Sequence, residues 1–287
     1  MTDALATALD GVRVVALATN IPGPLAAARL RSMGASVTKV EPLAGDPLES
    51  ASPRWYAAIC AGLDVVRINP REPKERDGLH QRVREADVLL TTMRGSALTR
   101  LGLSWDALHR TAPRIIHVAV TGERAPYEDR AGHDLTYQAR AGLLSPPAMP
   151  RTLVADLAAA ERVVSAVLAA LVLRARTGRG VRTDVAIVDA AMEFNAPLRY
   201  GLTGENDVLG GGLPPYNLYR ASDGWIAVAA LEAHFMDRLR AELQLETLDA
   251  PSLREAFVRR TVAQWEELAA AADLPLSAAS TLQLEAR

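Results

Sequence analysis

Residues 12–41 read VRVVALATNIPGPLAAARLRSMGASVTKVE, and this stretch decides the fold. Val12–Leu17 is a short apolar run rich in β-branched residues, which favours a strand. Pro22, Gly23 and Pro24 make a turn, Leu25–Met33 is helical in pattern, and Gly34 stops it. Val37–Glu41 then reads as a second strand. Strand, turn, helix and strand within about 30 residues form a βαβ unit, which implies parallel pairing with a right-handed crossover. The first turn is ATNIPGP and not G-x-G-x-x-G, so the dinucleotide fingerprint is absent. On its residues alone Gly23-Pro24 is a plain strand-to-helix turn.

The alternation continues outward. Gly78–Glu85 is helical in pattern, Asp87–Thr91 a strand, Trp105–Arg110 a helix and Ile115–Val120 a strand. Repetition of this kind predicts a doubly wound α/β layer. The most regular element is Leu157–Arg176, with Asp156 as its expected N-cap and Gly178 beyond its end. Val163–Leu173 is apolar all round, which predicts a helix buried between layers. Arg182–Val188 follows as a strand. The last third changes character: Tyr216–Arg220 and Trp225–Ala230 flank Ala221-Ser222-Asp223-Gly224 and predict an antiparallel hairpin. Helices are expected over Glu232–Leu243, Ser252–Arg260 and Val262–Ala272. Gly210-Gly211-Gly212 and Pro214-Pro215 lie between the two regimes. The boundary is expected within 190–214, with residues 1–200 as a large domain and 201–287 as a small α+β domain.

Composition narrows the function classes. The chain has 287 residues, 49% hydrophobic and 23% charged, which are globular values. Basic and acidic residues number 32 and 34, for a net charge of −2, so the electrostatic footprint of a nucleic-acid binder is missing. Cys60 is the one cysteine and cannot form an internal disulfide, which fits a reducing compartment. The start MTDALATALDGVR has no basic and apolar leader pattern, and Val163–Leu173 is far short of a membrane span. The expectation is a cytoplasmic protein without membrane contact. None of the five histidines stands in a metal-binding spacing, so no metal is expected. No G-x-S-x-G elbow or phosphate-binding P-loop motif occurs.

Two polar residues stand at predicted helix starts. His133, in Gly132-His133-Asp134, precedes Leu135–Ala141, where the helix dipole favours the neutral, basic imidazole. The same dipole favours the Asp156 carboxylate. A neutral base paired with a carboxylate is one reading; a surface turn histidine and an ordinary N-cap is the other, and the residues alone favour the second. Glu232, an acid in a first helical turn, carries no functional information by itself.

Six separated segments read LDGVRVVAL, GPLAAARLRSMGASVTKVEPLAGDPL, EADVLLTTMRGSALTRLGLS, AGHDLTYQARAGLLS, LVADLAAAERVVSAVLAALVLRARTGRGVRTDVAIVDAA and YRASDGWIAVAALEAHF. In order and across essentially the whole chain they resemble the family III CoA-transferases of CaiB/BaiF type. This group includes carnitine-CoA and formyl-CoA transferases and the α-methylacyl-CoA racemases. The resemblance implies an α/β fold with a Rossmann-like large domain, a parallel sheet and a smaller domain, assembled as an interlocked homodimer. It implies an acyl-CoA substrate, with coenzyme A as part of that substrate and no permanently bound cofactor. In the family's transferases the aspartate matching Asp156 is the nucleophile; in its racemases the same aspartate works beside a histidine in G-H-D-[IL]-x-Y, supported by a glutamate in A-[IL]-E-x-x-F. His133 in GHDLTY, Asp156 in VADLAAA and Glu232 in ALEAHF match all three, so the resemblance implies racemase or epimerase chemistry, with CoA transfer as the alternative. Arg31, Glu41, Arg94 and Tyr137 are the implied CoA-contacting residues.

The departures from the pattern suggest a third alternative, a divergent, weakly active or inactive member that binds CoA weakly or acts through a partner subunit. Cys60-Ala61-Gly62-Leu63-Asp64 replaces an Asn-Arg-Gly-Lys-like segment whose cations would approach the phosphates, leaving Arg31, Arg54, Arg67 and Arg94 as possible substitutes. Ala158-Ala159-Ala160 stands where glycines are common, and Thr121-Gly122-Glu123-Arg124 replaces an S-G-[FY]-G segment. Relatives continue beyond LPLSAAS, and the resemblance implies that a closing C-terminal segment is missing.

Overall fold

A computed structural model describes residues 5–279. The chain divides into two compact units, Met1–Asn195 and Ala196–Arg287.

The first unit begins with β1 (Arg13–Leu17), α1 (Pro22–Ser32) and β2 (Ser36–Pro42). After α2 (Pro47–Ala51) and α3 (Pro53–Cys60) come β3 (Asp64–Ile68), α4 (Pro73–Glu85) and β4 (Val88–Thr91). Next are α5 (Gly95–Arg100), α6 (Trp105–Thr111), β5 (Ile116–Thr121), α7 (Asp134–Ala141) and α8 (Val154–Thr177). The unit closes with β6 (Arg182–Ala186) and α9 (Ile187–Phe194). All six strands pair in parallel in the order β3-β2-β1-β4-β5-β6. Side chains alternate across the sheet because successive residues of a strand point to opposite faces. Val14 and Ala16 pack with α1, α7, α8 and α9. Val15 and Leu17 pack with Leu79, Val83, Leu98 and Leu108 from α4, α5 and α6. A parallel sheet buried on both faces by helices is the doubly wound α/β layer that the alternation predicts.

Three sequence expectations need correction. Pro22 and Pro73 sit in the first turns of α1 and α4, so both helices begin earlier than their apolar patterns; a first-turn proline has no N–H that the helix would use. The run Arg182–Val188 does not stay extended: the strand ends at Ala186, and Ile187 opens α9. Val163–Leu173 is not buried throughout, for Val172 and Leu173 are 62% and 43% exposed. Glu161, Ser165, Ala169, Val172 and Arg176 are exposed at three- and four-residue spacing, so the 24-residue α8 turns one face to solvent along its length, and Val172 and Leu173 fall on it.

The second unit opens with α10 (Ala196–Arg199) and an irregular turn over Val208–Gly212 in which Gly211 takes φ +99°. A hairpin of β7 (Tyr216–Arg220) and β8 (Trp225–Ala229) follows, with α11 (Ala233–Leu243), α12 (Ala250–Phe257), α13 (Val262–Ala272) and β9 (Leu276–Ala278). Strand β9 adds antiparallel to β8. Tyr219, Ile226 and Val228 on one sheet face bury against Leu239, Leu253, Phe257 and Trp265. Asp223 of the hairpin turn accepts a hydrogen bond from the Val262 N–H at 2.8 Å and ties the turn to α13.

Candidate active site

The strand order reverses between β1 and β4. In open α/β sheets that point leaves a crevice at the strands' carboxyl ends, because the connections depart to opposite sides. A cleft of about 320 Å³ lies there. Thr19 and Asn20 follow β1 into it, Thr92 and Arg94 follow β4, and Thr121 and Gly122 end β5. Gly23 permits the close approach: a Cβ on it would stand 2.5 Å from Ala18 Cβ and 2.8 Å from Thr92 Cγ2.

His133 and Asp156 both line this cleft. His133 is the N-cap of α7. Its backbone N–H donates to Thr136 Oγ1 at 3.0 Å, while its carbonyl accepts from the Thr136 hydroxyl at 2.8 Å, so the helix start fixes the residue through its main chain. Asp156 is not the N-cap of α8; Leu153 holds that place without a side-chain cap, and Asp156 lies in the first turn. The missing cap comes from another helix. Asp134 Oδ1 accepts the Asp156 N–H at 3.0 Å, and Gln138 donates to Asp134 and, at 3.0 Å, to the Thr152 carbonyl. Neighbours in GHDLTY thus serve separate ends: His133 faces the cleft while Asp134 caps the helix that carries Asp156.

The Asp156 side chain is buried, and its carboxyl pKa is pushed up to about 7, first by loss of solvent and second by the nearby Asp134 charge. A carboxyl poised near neutrality can give or take a proton at little cost, as general acid–base chemistry requires. Tyr137, also on the cleft wall, has its phenol raised by burial and then by Asp156, so it stays a neutral donor. Gly122 and Gly132 make room for its ring, since a Cβ would reach the hydroxyl at 2.3 Å from the first and ring carbon Cε1 at 2.6 Å from the second.

Of the other predicted residues in the first unit, Arg94 is in the cleft and Arg31 and Glu41 are not. Arg94 lines the cleft and has no side-chain ion pair among the described residues. Arg31 lies in a separate groove, where its Nε donates to the Gly62 carbonyl at 3.1 Å. It holds the turn that lacks the family's cations. Glu41 borders an apolar slot of about 260 Å³, but its carboxylate is engaged by Lys39, by the Tyr56 hydroxyl at 2.8 Å and by Arg67 Nε at 3.2 Å. Arg67 is committed to Glu41 and Glu49. Of the four arginines offered as substitutes, Arg94 is the one in the cleft lining. Glu232 belongs to the second unit, where it is the exposed N-cap of α11.

The alanines after Asp156 do not crowd the cleft. Ala158, Ala159 and Ala160 are buried in the core beneath α1, with Ala26 and Ala27. Gly122 persists in the altered Thr121–Arg124 segment, and Glu123 ion-pairs with Arg140 of α7. Asn20 and Thr92 are cleft residues that the sequence reading missed; the positive φ of Asn20, +68°, has no sequence signature beyond asparagine's tolerance for it. No cluster of three or more His, Cys, Asp or Glu placed to hold a metal occurs among the described residues. No helix among them is long and apolar enough to cross a membrane.

Comparison with known proteins agrees with this architecture. The chain is 31% identical to succinate–glutarate CoA-transferase from Agrobacterium fabrum over 250 residues, which are 77% of this chain and 62% of the relative. It is 28% identical to human alpha-methylacyl-CoA racemase over 290 aligned positions, covering 90% of this chain and 74% of that protein. A CAIB/BAIF family protein from Brucella suis superposes with a TM-score of 0.80 at 25% identity, covering 96% of this chain and 84% of the other. The chain therefore spans less than two thirds of the length of the transferase and most of the length of the racemase. The model of CoA-transferase family III matches residues 9–285. With a six-stranded parallel sheet, a cleft at its switch point and a family match over nearly its whole length, the chain belongs to CoA-transferase family III.

Proposed function

We propose that this protein acts on an acyl-CoA and inverts the carbon next to the thioester carbonyl, as an α-methylacyl-CoA racemase or epimerase. The observation that carries the reading is a carboxyl poised near neutrality, Asp156, in one cleft with His133. The thioester makes the α-proton removable. One of the pair takes that proton, leaving an enolate, and the other returns a proton to the opposite face, so that composition is unchanged. Tyr137 and the hydroxyls of Thr19 and Thr92 are donors available to the enolate oxygen, whereas the Thr121 hydroxyl already donates to the Glu123 carbonyl at 2.8 Å.

The apolar slot supports CoA as part of the substrate. It shares Thr19, Thr92 and Met93 with the cleft, and Leu17, Val40, Ile68 and Leu79 give it walls suited to a flat heteroaromatic base. Arg94 on the cleft lining, next in sequence to the shared Met93, supplies a cation for a phosphate. The reading needs no resident cofactor. A cytoplasmic location and an interlocked homodimer remain part of the proposal, the latter checked by light scattering on the purified chain.

Transfer of CoA between carboxylic acids is the second reading, favoured by the match to succinate–glutarate CoA-transferase. Here the Asp156 carboxylate attacks the donor thioester and expels CoA thiolate, leaving a mixed anhydride. The thiolate attacks the aspartyl carbonyl and releases the donor's carboxylate, leaving an aspartyl-CoA thioester. The acceptor carboxylate then runs the two steps in reverse, leaving as its CoA thioester and freeing Asp156. One experiment separates them. Racemisation predicts deuterium uptake from D₂O at the α-carbon of 2-methylbutanoyl-CoA, lost in Asp156→Ala and His133→Ala. Absence of uptake, with covalent CoA on Asp156 in the presence of a donor thioester, replaces racemisation by transfer. Failure of CoA to bind overturns both.

A further inference from the structure

Lys39 is fully buried in β2, between β3 and β1, and a lone ammonium there would be strongly disfavoured. Two carboxylates compensate it. One is Glu41; the other is Asp46, itself buried, whose Oδ2 accepts from Lys39 Nζ at 2.7 Å. The second oxygen of Asp46 is taken by two backbone N–H groups. Oδ1 accepts the Leu48 N–H at 3.0 Å, capping α2, and the Asn20 N–H at 2.9 Å. The buried pair therefore grips the turn between β1 and α1 by its backbone.

What it grips is unusual. Asn20 stands at φ +68°, in the left-handed region, and non-glycine residues held there cluster at functional sites. Asn20 is exposed and lines the cleft that contains Asp156 and His133, and no hydrogen bond to its carboxamide occurs among the described residues. The carboxamide is also chemically distinct from its neighbours. Glu128 and Asp129 bring negative charge to the cleft, while Arg94 and Arg130 bring positive charge. An amide N–H₂ is a neutral donor, and its natural partner is a carbonyl oxygen.

Resting on the acyl-CoA reading above, we propose that Asn20 contacts the substrate, its carboxamide donating to a carbonyl oxygen of the bound acyl-CoA, and that Asp46, backed by Lys39, is its positioning residue. A turn held by a buried ion pair places the donor before substrate arrives, so little ordering is left for the binding step.

Glycine and alanine at position 20 separate the side chain from the turn. Asn20→Gly keeps the positive φ without strain and removes the carboxamide; Asn20→Ala removes it and strains the turn. The proposal expects both to lower kcat/KM for α-proton exchange of 2-methylbutanoyl-CoA by about tenfold, with the glycine variant's thermal midpoint unchanged. Asp46→Ala should lower it comparably in the native background and little further in the Asn20→Gly background, since Asp46 acts through Asn20. Wild-type kcat/KM in Asn20→Gly overturns the contact, and a full additional loss from Asp46→Ala in that variant overturns the positioning role. The same proteins are titrated with 2-methylbutanoyl-CoA by calorimetry. If the wild type binds without exchanging, the racemase reading fails, and Asn20 is decided by whether the glycine variant binds about threefold or more weakly or as tightly as wild type.

Discussion

Replacing Asp156 by asparagine should stabilise the protein, and by more at high pH than at low. The Asp156 carboxyl is pushed up to about 7 from the ordinary 3.8 by burial and by the Asp134 charge. A folded-state value above the unfolded one means that folding favours the protonated form. That benefit is complete below the unfolded value and is lost as pH rises through about 7, where the buried carboxylate must ionise. Linkage with these two values gives a destabilisation of about 1.7 kcal/mol at pH 5 and about 4 kcal/mol at pH 8. Asparagine has nearly the same shape and no charge to lose, so the variant's advantage over wild type should widen by about 2.5 kcal/mol between these pH values. Urea denaturation of both proteins at pH 5 and pH 8 measures it, with amide exchange in α8 assigning the change to the first unit. Other titrating groups are common to both proteins and cancel in the comparison. An advantage that is flat or shrinks from pH 5 to pH 8 refutes the raised carboxyl and, with it, the acid–base assignment of Asp156. Stability gained on removing a residue while activity is lost is the trade-off expected of a strained active site.

Two other perturbations test the surroundings. His117 on β5 is 1% exposed, bonded to Thr91 at 3.0 Å through Nε2 with Nδ1 unpartnered, and burial with the Arg182 charge lowers its pKa to about 4. Its stabilising contribution is present above 6.5 and lost as pH falls toward 4, so His117→Leu should lose about 2 kcal/mol less than wild type between pH 7 and pH 5 in urea denaturation; parallel losses would contradict the burial argument. Gly132→Ala should displace the Tyr137 ring, whose Cε1 would lie 2.6 Å from the new Cβ, lowering exchange activity severely at about 1–3 kcal/mol in stability; an unchanged kcat would mean that Tyr137 is not needed where it stands.

Much of the first unit was legible because apolar period and turn chemistry agreed. Val12–Leu17 and Ile115–Val120 could only be buried strands once helical stretches separated them, and the observed strands differ by a residue. Helix α9 was missed because Ile187 and Val188 extend the apolar run of β6, and a short run has no period that distinguishes strand from helix. The cap of α8 was misassigned for a different reason. Asp156 has the right chemistry for a cap, but the acceptor came from Asp134, 22 residues earlier, and no local pattern reports that.

The sequence by itself determined the βαβ alternation, the change of regime before the hairpin, and the His133, Asp156 and Glu232 motifs that carry the family resemblance, because these depend on local period and on residue type. Tertiary structure alone decided which of the candidate residues meet. It put Asp156, His133, Tyr137 and Arg94 in one cleft, turned Arg31 to another groove and locked Glu41 into an ion-pair network. It also set the protonation of Asp156, since a helix start by itself favours the carboxylate, whereas burial beside a second acid favours the neutral form. Packing won because desolvation acts on the whole charge, while the helix dipole offers about half a charge at its end.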